Sequence, residues 1–303
     1  MDISSLRKKV KKLTWKKLHY VFLIKFARFY SDQKFLEKLF PLRTGYSLNV
    51  QAPKTFNEKM QWVKLNVRNP EHIRMVDKAD AKIYVERNIG KEYIIPTLAV
   101  YNTVEEINFD ELPDQFVLKC THDSGGIVIC TDKETLDRNA AIKKLRKALK
   151  KNYFYRNREW PYSQIVPRII AEKYMVDESG WQLKDYKIFC FNGEPKFIEV
   201  DYDRYVGHKL NVYDLNWNFI DFYMTSPNDK NVEIKKPLQL EKMIEIARVL
   251  SKDTIFLRVD LYSINNKIYF GELTFTPGSG MIDFHPKEYD LKLGEMLTLP
   301  IDK

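Results

Sequence analysis

Phe256–Met281 reads FLRVDLYSINNKIYFGELTFTPGSGM, and the fold turns on how this stretch is taken. Two β-rich runs flank Ser263–Lys267, with Asn265-Asn266 at the centre, which is the signature of a hairpin. Side chains alternate faces along a strand. Phe256, Arg258, Asp260 and Tyr262 therefore share one face of the first strand, opposite Leu257, Val259 and Leu261. In the second strand Phe270, Glu272, Thr274 and Thr276 share a face, opposite Tyr269, Leu273 and Phe275. One side of the hairpin then gathers Arg258, Asp260, Glu272 and Thr274, while the other is apolar and suited to a core. Two carboxylates and a hydroxyl on adjacent strands form a hard-oxygen set suited to Mg²⁺, which commonly also holds substrate phosphates. Arg258 beside them complements a phosphoryl group or a carboxylate. The same residues read equally as a half-exposed cross-strand Arg–Glu pair. The loop Pro277-Gly278-Ser279-Gly280 lets a ligand approach the backbone closely.

Working outward, the 303 residues suffice for one large core or for two to three smaller ones. A 14% aromatic and 44% hydrophobic content marks an ordered globular chain. Cys120, Cys130 and Cys190 lie far apart inside apparent strands, without metal-ligand spacing. They read as reduced core thiols and point to a cytoplasmic protein. No small-residue cleavage site follows the basic start, and no apolar run reaches membrane-spanning length. The net charge of +9 is local: residues 1–30 hold nine Lys/Arg against Asp2, so the remainder is close to neutral. Residues 4–30 read as a basic amphipathic helix, with Leu6, Val10, Leu13, Leu18, Val21, Phe22 and Ile24 as apolar positions and Trp15 and Tyr20 among them. This pattern suits an anionic membrane surface at the inner face of the membrane. It suits equally a helix packed on its own domain with a solvated basic face. No second basic patch appears downstream, which argues against a nucleic-acid partner.

Thr55 with Glu58 predicts a capped helix through Leu65, and Asn69-Pro70 starts another that runs to about Asn88, with Asp77-Lys78 inside it. Tyr93–Tyr101, broken by Pro96, Phe116–Thr121 and Ile127–Thr131 read as strands. Lys119, among Val, Leu and Cys, needs an anionic partner. The turn His122-Asp123-Ser124-Gly125-Gly126 beside it can lay N–H groups on phosphates, and His122 reads as a surface-loop residue. Residues 133–152 form a basic helix, and Ile169–Val176 is a strand carrying Glu172 and Lys173. Hairpins centre on Asn192-Gly193 and on Asn216-Trp217-Asn218, and Asp185 and Lys187 share a strand face. Leu238–Leu250 is an amphipathic helix that feeds the Arg258–Asp260 strand.

Together PKTFNEKMQW, FVLKCTHDSGG, YKIFCFNGEPKFIEV and FLRVDLY…YFGELTFTPGSG resemble the TupA-like family of the ATP-grasp superfamily, from about Lys54 onward. The resemblance implies an α+β fold of two subdomains that clasp ATP. Its division is a basic helical segment over 1–50, a helical part over 51–95, a lid over 96–175 and a metal-bearing subdomain over 176–303. It implies that Lys78 and Lys119 contact ATP phosphates, helped by Ser124, Gly125 and Gly126. Glu172 and the backbone of Lys173 and Met175 are expected to hold adenine. Asp177 and Asp185 are the candidates for the ribose. Asp260 and Glu272 match the Mg²⁺ carboxylates, and Arg258 matches the arginine that faces the transferred phosphoryl group. Thr274 stands where the family usually has an Asn metal ligand. The implied activity is a carboxylate–amine ligase that works through an acyl phosphate in capsule or surface-polysaccharide synthesis. Its carboxylate would be a uronic acid of a sugar or glycan, and its amine an amino acid or amino alcohol. Asp201-Tyr202-Asp203 is an Asp-x-Asp motif and supports a competing glycosyltransferase reading. Thr274 alone argues for a non-catalytic scaffold. A kinase would need the same ATP and Mg²⁺ groups.

Overall fold

The computed structural model describes residues 15–180, 183–202 and 207–302. Helix α1 covers 15–25. It is followed by α2 (Asp32–Thr44), α3 (Phe56–Asn66), α4 (Glu71–Val76) and α5 (Asp80–Ile89). Next come β1 (Thr97–Tyr101), β2 (Phe116–Cys120), β3 (Ile127–Cys130), α6 (Arg138–Leu149), α7 (Phe154–Asn157) and β4 (Ile169–Lys173). The chain continues with β5 (Asp185–Phe191), β6 (Glu194–Tyr202), β7 (Lys209–Asp214) and β8 (Phe219–Ile220). It ends with α8 (Leu240–Ser251), β9 (Phe256–Ile264), β10 (Lys267–Thr274) and α9 (Tyr289–Glu295). The strands make two antiparallel sheets, of order β1-β4-β2-β3 and β10-β9-β5-β6-β7-β8.

Both two-residue asparagine turns form as expected. Asn192-Gly193 and Asn265-Asn266 all have φ between 49° and 82°, the left-handed pair that a two-residue hairpin needs. The hairpin β9–β10 joins the sheet along β5, which sets Asp260 opposite Lys187 on one side and Glu272 on the other. One detail departs from strict alternation. The register slips between Phe270 and Glu272, with Gly271 as the extra residue. Phe270 therefore turns into the core with Leu273 and Phe275, not onto the Glu272 face. A Cβ on Gly271 would meet the Asp260 carbonyl at 3.0 Å and the Tyr262 ring at 3.1 Å, so any side chain here would have to push both aside.

The inner face of the large sheet buries Ile188, Ile198, Val200, Leu257, Val259 and Leu261 against Met243, Ile246, Ala247 and Leu250 of α8. Each such side chain contributes about 1.5–3 kcal/mol by leaving water. The other face closes at one end under α3, where Phe56 and Met60 pack on Phe189, Phe191, Phe197 and Phe256. The small sheet has its own core of Phe116, Leu118, Val128 and Ile169 under α6. The three cysteines are buried and unpaired, as expected.

One helical expectation holds and one changes. The Thr55–Glu58 capping box is present on α3. The 69–88 helix, however, breaks at Asp77, whose carboxylate accepts the Ala79 and Asp80 N–H groups and starts α5 afresh. Lys78 thus sits at a helix junction. Of the basic N-terminal helix, Leu6, Val10 and Leu13 lie outside the described residues, as does Asp203. Among the described residues no helix is long and apolar enough to cross a membrane.

Candidate active site

A cavity of about 360 Å³ opens between the two sheets. Its walls differ in chemistry. Ile95, Val117, Ile127, Ile129 and Met175 supply an apolar lining of the kind that takes a flat ring. Lys78, Lys119, Asp185, Lys187, Arg258, Asp260 and Glu272 supply its charged lining. Alternation explains the gathering, because β2, β4, β5 and β9 each turn every second side chain to the cleft.

Arg258 is the hub of the charged lining. Its Nε donates to Asp260 Oδ1 at 2.6 Å, and Nη2 donates to Asp260 Oδ2 at 2.5 Å and to Glu272 Oε1 at 3.1 Å. Burial opposes its charge, but Asp260 and Glu272 outweigh burial and hold the guanidinium protonated more firmly than usual. Burial pushes the Asp260 carboxyl well above the usual carboxylate range; Arg258 opposes this, while Asp185 and Glu272 add to it. Burial raises Glu272 too, but Lys78, Arg258, Lys187 and Lys119 hold it below the ordinary value. Asp185 and Glu272 thus add negative charge beside Asp260, which a further cation would offset. Among the described residues no group of three His, Cys, Asp or Glu side chains is placed to hold a metal. The cross-strand pair Asp260–Glu272 fits a hard divalent cation that takes its other ligands from phosphate oxygens. Thr274 Oγ1 lies 3.5 Å from Glu272 Oε1, at the margin of this set.

Lys78 Nζ donates to the Asp123 carbonyl at 2.7 Å and lies 4.0 Å from Glu272 Oε2. Its N–H donates to the Thr121 carbonyl, so the junction before α5 is pinned to the glycine turn. Lys119 has the anionic partner its strand demanded: Nζ lies 2.7 Å from Glu172 Oε2. Lys82 grips the same carboxylate from the other side and donates to Ile95 O at 2.8 Å and Thr97 Oγ1 at 2.9 Å. Burial raises Glu172, yet the two lysines more than offset it and keep the carboxyl below its usual value. Lys187 bridges Glu199 at 3.0 Å and Asp201. Asp201, half of the Asp-x-Asp motif, is thus spent in an ion pair with Lys187.

Several expected residues stand elsewhere. Ser124 faces the cavity, but Gly126 is buried and its N–H goes to Asp123 Oδ1. A Cβ there would meet Cys120 Sγ and Ala148 Cβ at 2.7 Å, so this glycine serves packing on α6. His122 is buried, with Nε2 3.1 Å from the Lys151 carbonyl, and burial lowers its pKa; it is not a surface residue. The Lys173 N–H is already taken by Pro96 O at 3.0 Å. Asp177 is occupied by the Ser179 N–H and by Lys184, whereas Asp185 lines the cavity.

The sequence reading passed over a second layer behind the site. Gly278, Ser279 and Gly280 have φ of 57°, 60° and 62°. Gln61 of α3 donates to Gly280 O, and Lys64 donates to Ser279 O at 2.9 Å and Asn157 O at 2.8 Å. Glu159 accepts from Thr276 Oγ1 and from Ser279 Oγ at 2.9 Å. Burial depresses Lys64 to about 7, with Glu159 opposing the fall. Lys82, the second cation on Glu172, was likewise passed over.

The model of a protein family described as TupA-like ATPgrasp matches residues 58–298. No curated protein matches the chain. Among solved structures, D-alanine–D-alanine ligase from Bacillus anthracis complexed with ATP is 16% identical, with a TM-score of 0.42. That match covers 74% of this chain and 63% of the ligase, so the chain spans less than two thirds of it. The D-alanine–D-alanine ligase of Helicobacter pylori is 15% identical over 82% of this chain and 70% of that one, with a TM-score of 0.40. D-cycloserine synthetase is 12% identical over 80% and 77%, with a TM-score of 0.41.

Proposed function

The chain belongs to the TupA-like ATP-grasp family, and on that premise we propose that it is an ATP-dependent carboxylate–amine ligase. The observation that carries the reading is the single cavity in which Lys78 and Lys119 face Arg258, Asp260 and Glu272 across the two sheets, with an apolar lining. That lining takes adenine between Val117, Ile127, Ile129 and Met175. Glu172 accepts from the adenine amino group, and the Lys173 carbonyl and the Met175 backbone meet the ring edge. Asp185 is the ribose acid. Lys119 leaves Glu172 for the phosphates, and Lys82 keeps Glu172 ionised when it does. The four-stranded sheet acts as the lid over the six-stranded one, with the division near residues 96 and 176.

A carboxylate oxygen of the acceptor attacks the γ-phosphorus, ADP leaves, and the acyl phosphate so formed has a good leaving group. The amine nitrogen then attacks the carbonyl carbon, phosphate departs and the nitrogen loses a proton. Arg258 and Lys78 hold the transferred group in line and neutralise its charge, so the protein supplies position and field rather than a nucleophile. Asp260 and Glu272, with Thr274 beside them, would hold Mg²⁺, which would supply further positive charge against the phosphate groups. We extend the reading to surface-polysaccharide assembly at the cytoplasmic side of the membrane. There a uronic acid of a sugar or glycan supplies the carboxylate, and an amino acid or amino alcohol supplies the amine. The test is phosphate release from ATP across a panel of uronic acids and amines. The reading expects release that needs both partners and falls at least about 100-fold in Asp260→Asn and Glu272→Gln. Equal ATP consumption by wild type and both variants contradicts it.

A further inference from the structure

Helix α1 has two apolar sides, and the body uses only one. Tyr20, Leu23, Ile24 and Ala27 pack on Phe35, Leu36, Leu39 and Phe40 of α2. The end of this stripe is fastened by Arg158. Its buried guanidinium donates to the carbonyls of Ala27 and Tyr30 and pairs with Asp32 at 2.8 Å. The helix is therefore seated on the body, and its orientation is fixed. The opposite side is open: Trp15, Leu18, Val21, Phe22 and Phe29 are 56–69% exposed. At 100° per residue Trp15, Leu18, Val21 and Phe22 fall together, away from Leu23 and Ala27. Single exposed apolar residues are ordinary, but a run of large ones along one helix side is not.

Charge selects the occupant. No acid lies between Trp15 and Ser31, and Lys16, Lys17, Lys25 and Arg28 are all exposed. The Arg28 guanidinium lies 5.0 Å from the Phe29 ring centroid, so cation and apolar surface are neighbours. Residues 1–14 add five Lys/Arg and one acid, whereas the chain beyond residue 30 is nearly neutral. A second copy of this chain would set cation against cation. A layer of anionic headgroups over acyl chains complements both components at once. We propose that the open side of α1 docks on an anionic lipid bilayer. Trp15, Leu18, Val21, Phe22 and Phe29 enter the headgroup–acyl boundary, and Lys16, Lys17, Lys25 and Arg28 lie among the headgroups. Trp15 suits that depth, because indole has an apolar body and a polar N–H. Long basic side chains keep their charge in water while their stems lie along apolar surface.

The test is co-sedimentation of the full chain with vesicles of phosphatidylcholine alone or with about one third phosphatidylserine, at low and high salt. Two variants accompany the wild type, Leu18→Glu/Phe22→Glu and Lys17→Glu/Lys25→Glu/Arg28→Glu. All five positions are exposed, and a thermal melt checks that each variant is folded. Binding should need phosphatidylserine and weaken in salt, and both variants should bind about tenfold less or worse. Should the first variant not fold, the charge variant reads the same outcome. Three results overturn the proposal: no binding by wild type, binding unchanged in a folded variant, or equal binding to neutral vesicles. Light scattering that shows a dimer abolished by Leu18→Glu/Phe22→Glu, without lipid binding, assigns the face to a second copy instead.

Discussion

One face of the six-stranded sheet is built in two halves from the same strands. Toward the β5–β6 turn it carries Phe189, Phe191, Phe197 and Phe256, with ring centroids 4.5–6.1 Å apart, closed under α3. Two to four residues further along, at unchanged alternation, it carries Asp185, Lys187, Arg258 and Asp260, which line the cleft, and Glu199 and Asp201, buried behind Lys187. Alternation decides the face, and position along the strand decides the chemistry. The aromatic half gains stability from burial. Gathering buried charges gains little by comparison, because desolvation opposes their mutual attraction, and such clusters mark functional sites.

Four substitutions can break or sharpen this contrast. Phe256→Ala empties the centre of the aromatic half, so unfolding free energy should fall by about 3–5 kcal/mol in a denaturant titration. ATP affinity of the molecules still folded should be retained. Asp260→Asn should do the reverse, lowering ATP turnover about 10²–10³-fold with a smaller loss of stability, read by phosphate release and a thermal melt. If both variants lose stability and turnover in equal measure, the two halves are not separable.

A pH titration gives the next effect. His72 is buried against Phe275 with ring centroids 4.0 Å apart, and burial depresses its pKa from 6.5 to about 4. Between these values the unfolded chain binds the proton and the folded chain does not. Its stabilising contribution is thus complete above 6.5 and lost as pH falls toward 4, by up to about 3 kcal/mol. His72→Gln should flatten that part of the stability–pH curve; an unchanged slope would mean that other groups set it. The smallest effect concerns the four-stranded sheet. Lys82→Met should weaken ATP binding by about tenfold while leaving the fold intact, because Glu172 loses one of its two hydrogen-bonded cations.

What was legible in the sequence follows from range. Arg258, Asp260 and Glu272 could be placed together because two strands and one asparagine turn fix their faces locally. Lys119 could be flagged because a lysine among apolar strand residues needs an acid. Other features depend on partners far along the chain or on close packing. The break at Asp77 is reinforced by Arg168, 91 residues away, and Glu159 reaches Thr276 and Ser279 across 117 and 120 residues. The bulge at Gly271, which moved Phe270 to the core, lies where a side chain would crowd the Asp260 carbonyl and the Tyr262 ring, and no periodicity reveals it. The buried His122 likewise depends on the end of α6 folding over its turn.

The central claim is that the cavity between the sheets is an ATP site. Calorimetric titration of wild type and Lys119→Ala with ATP, with and without Mg²⁺, tests it most directly. The account expects binding by wild type that strengthens with Mg²⁺ and drops at least about tenfold in the variant. No ATP binding by the folded wild-type protein, or binding that neither Mg²⁺ nor Lys119 affects, would contradict it.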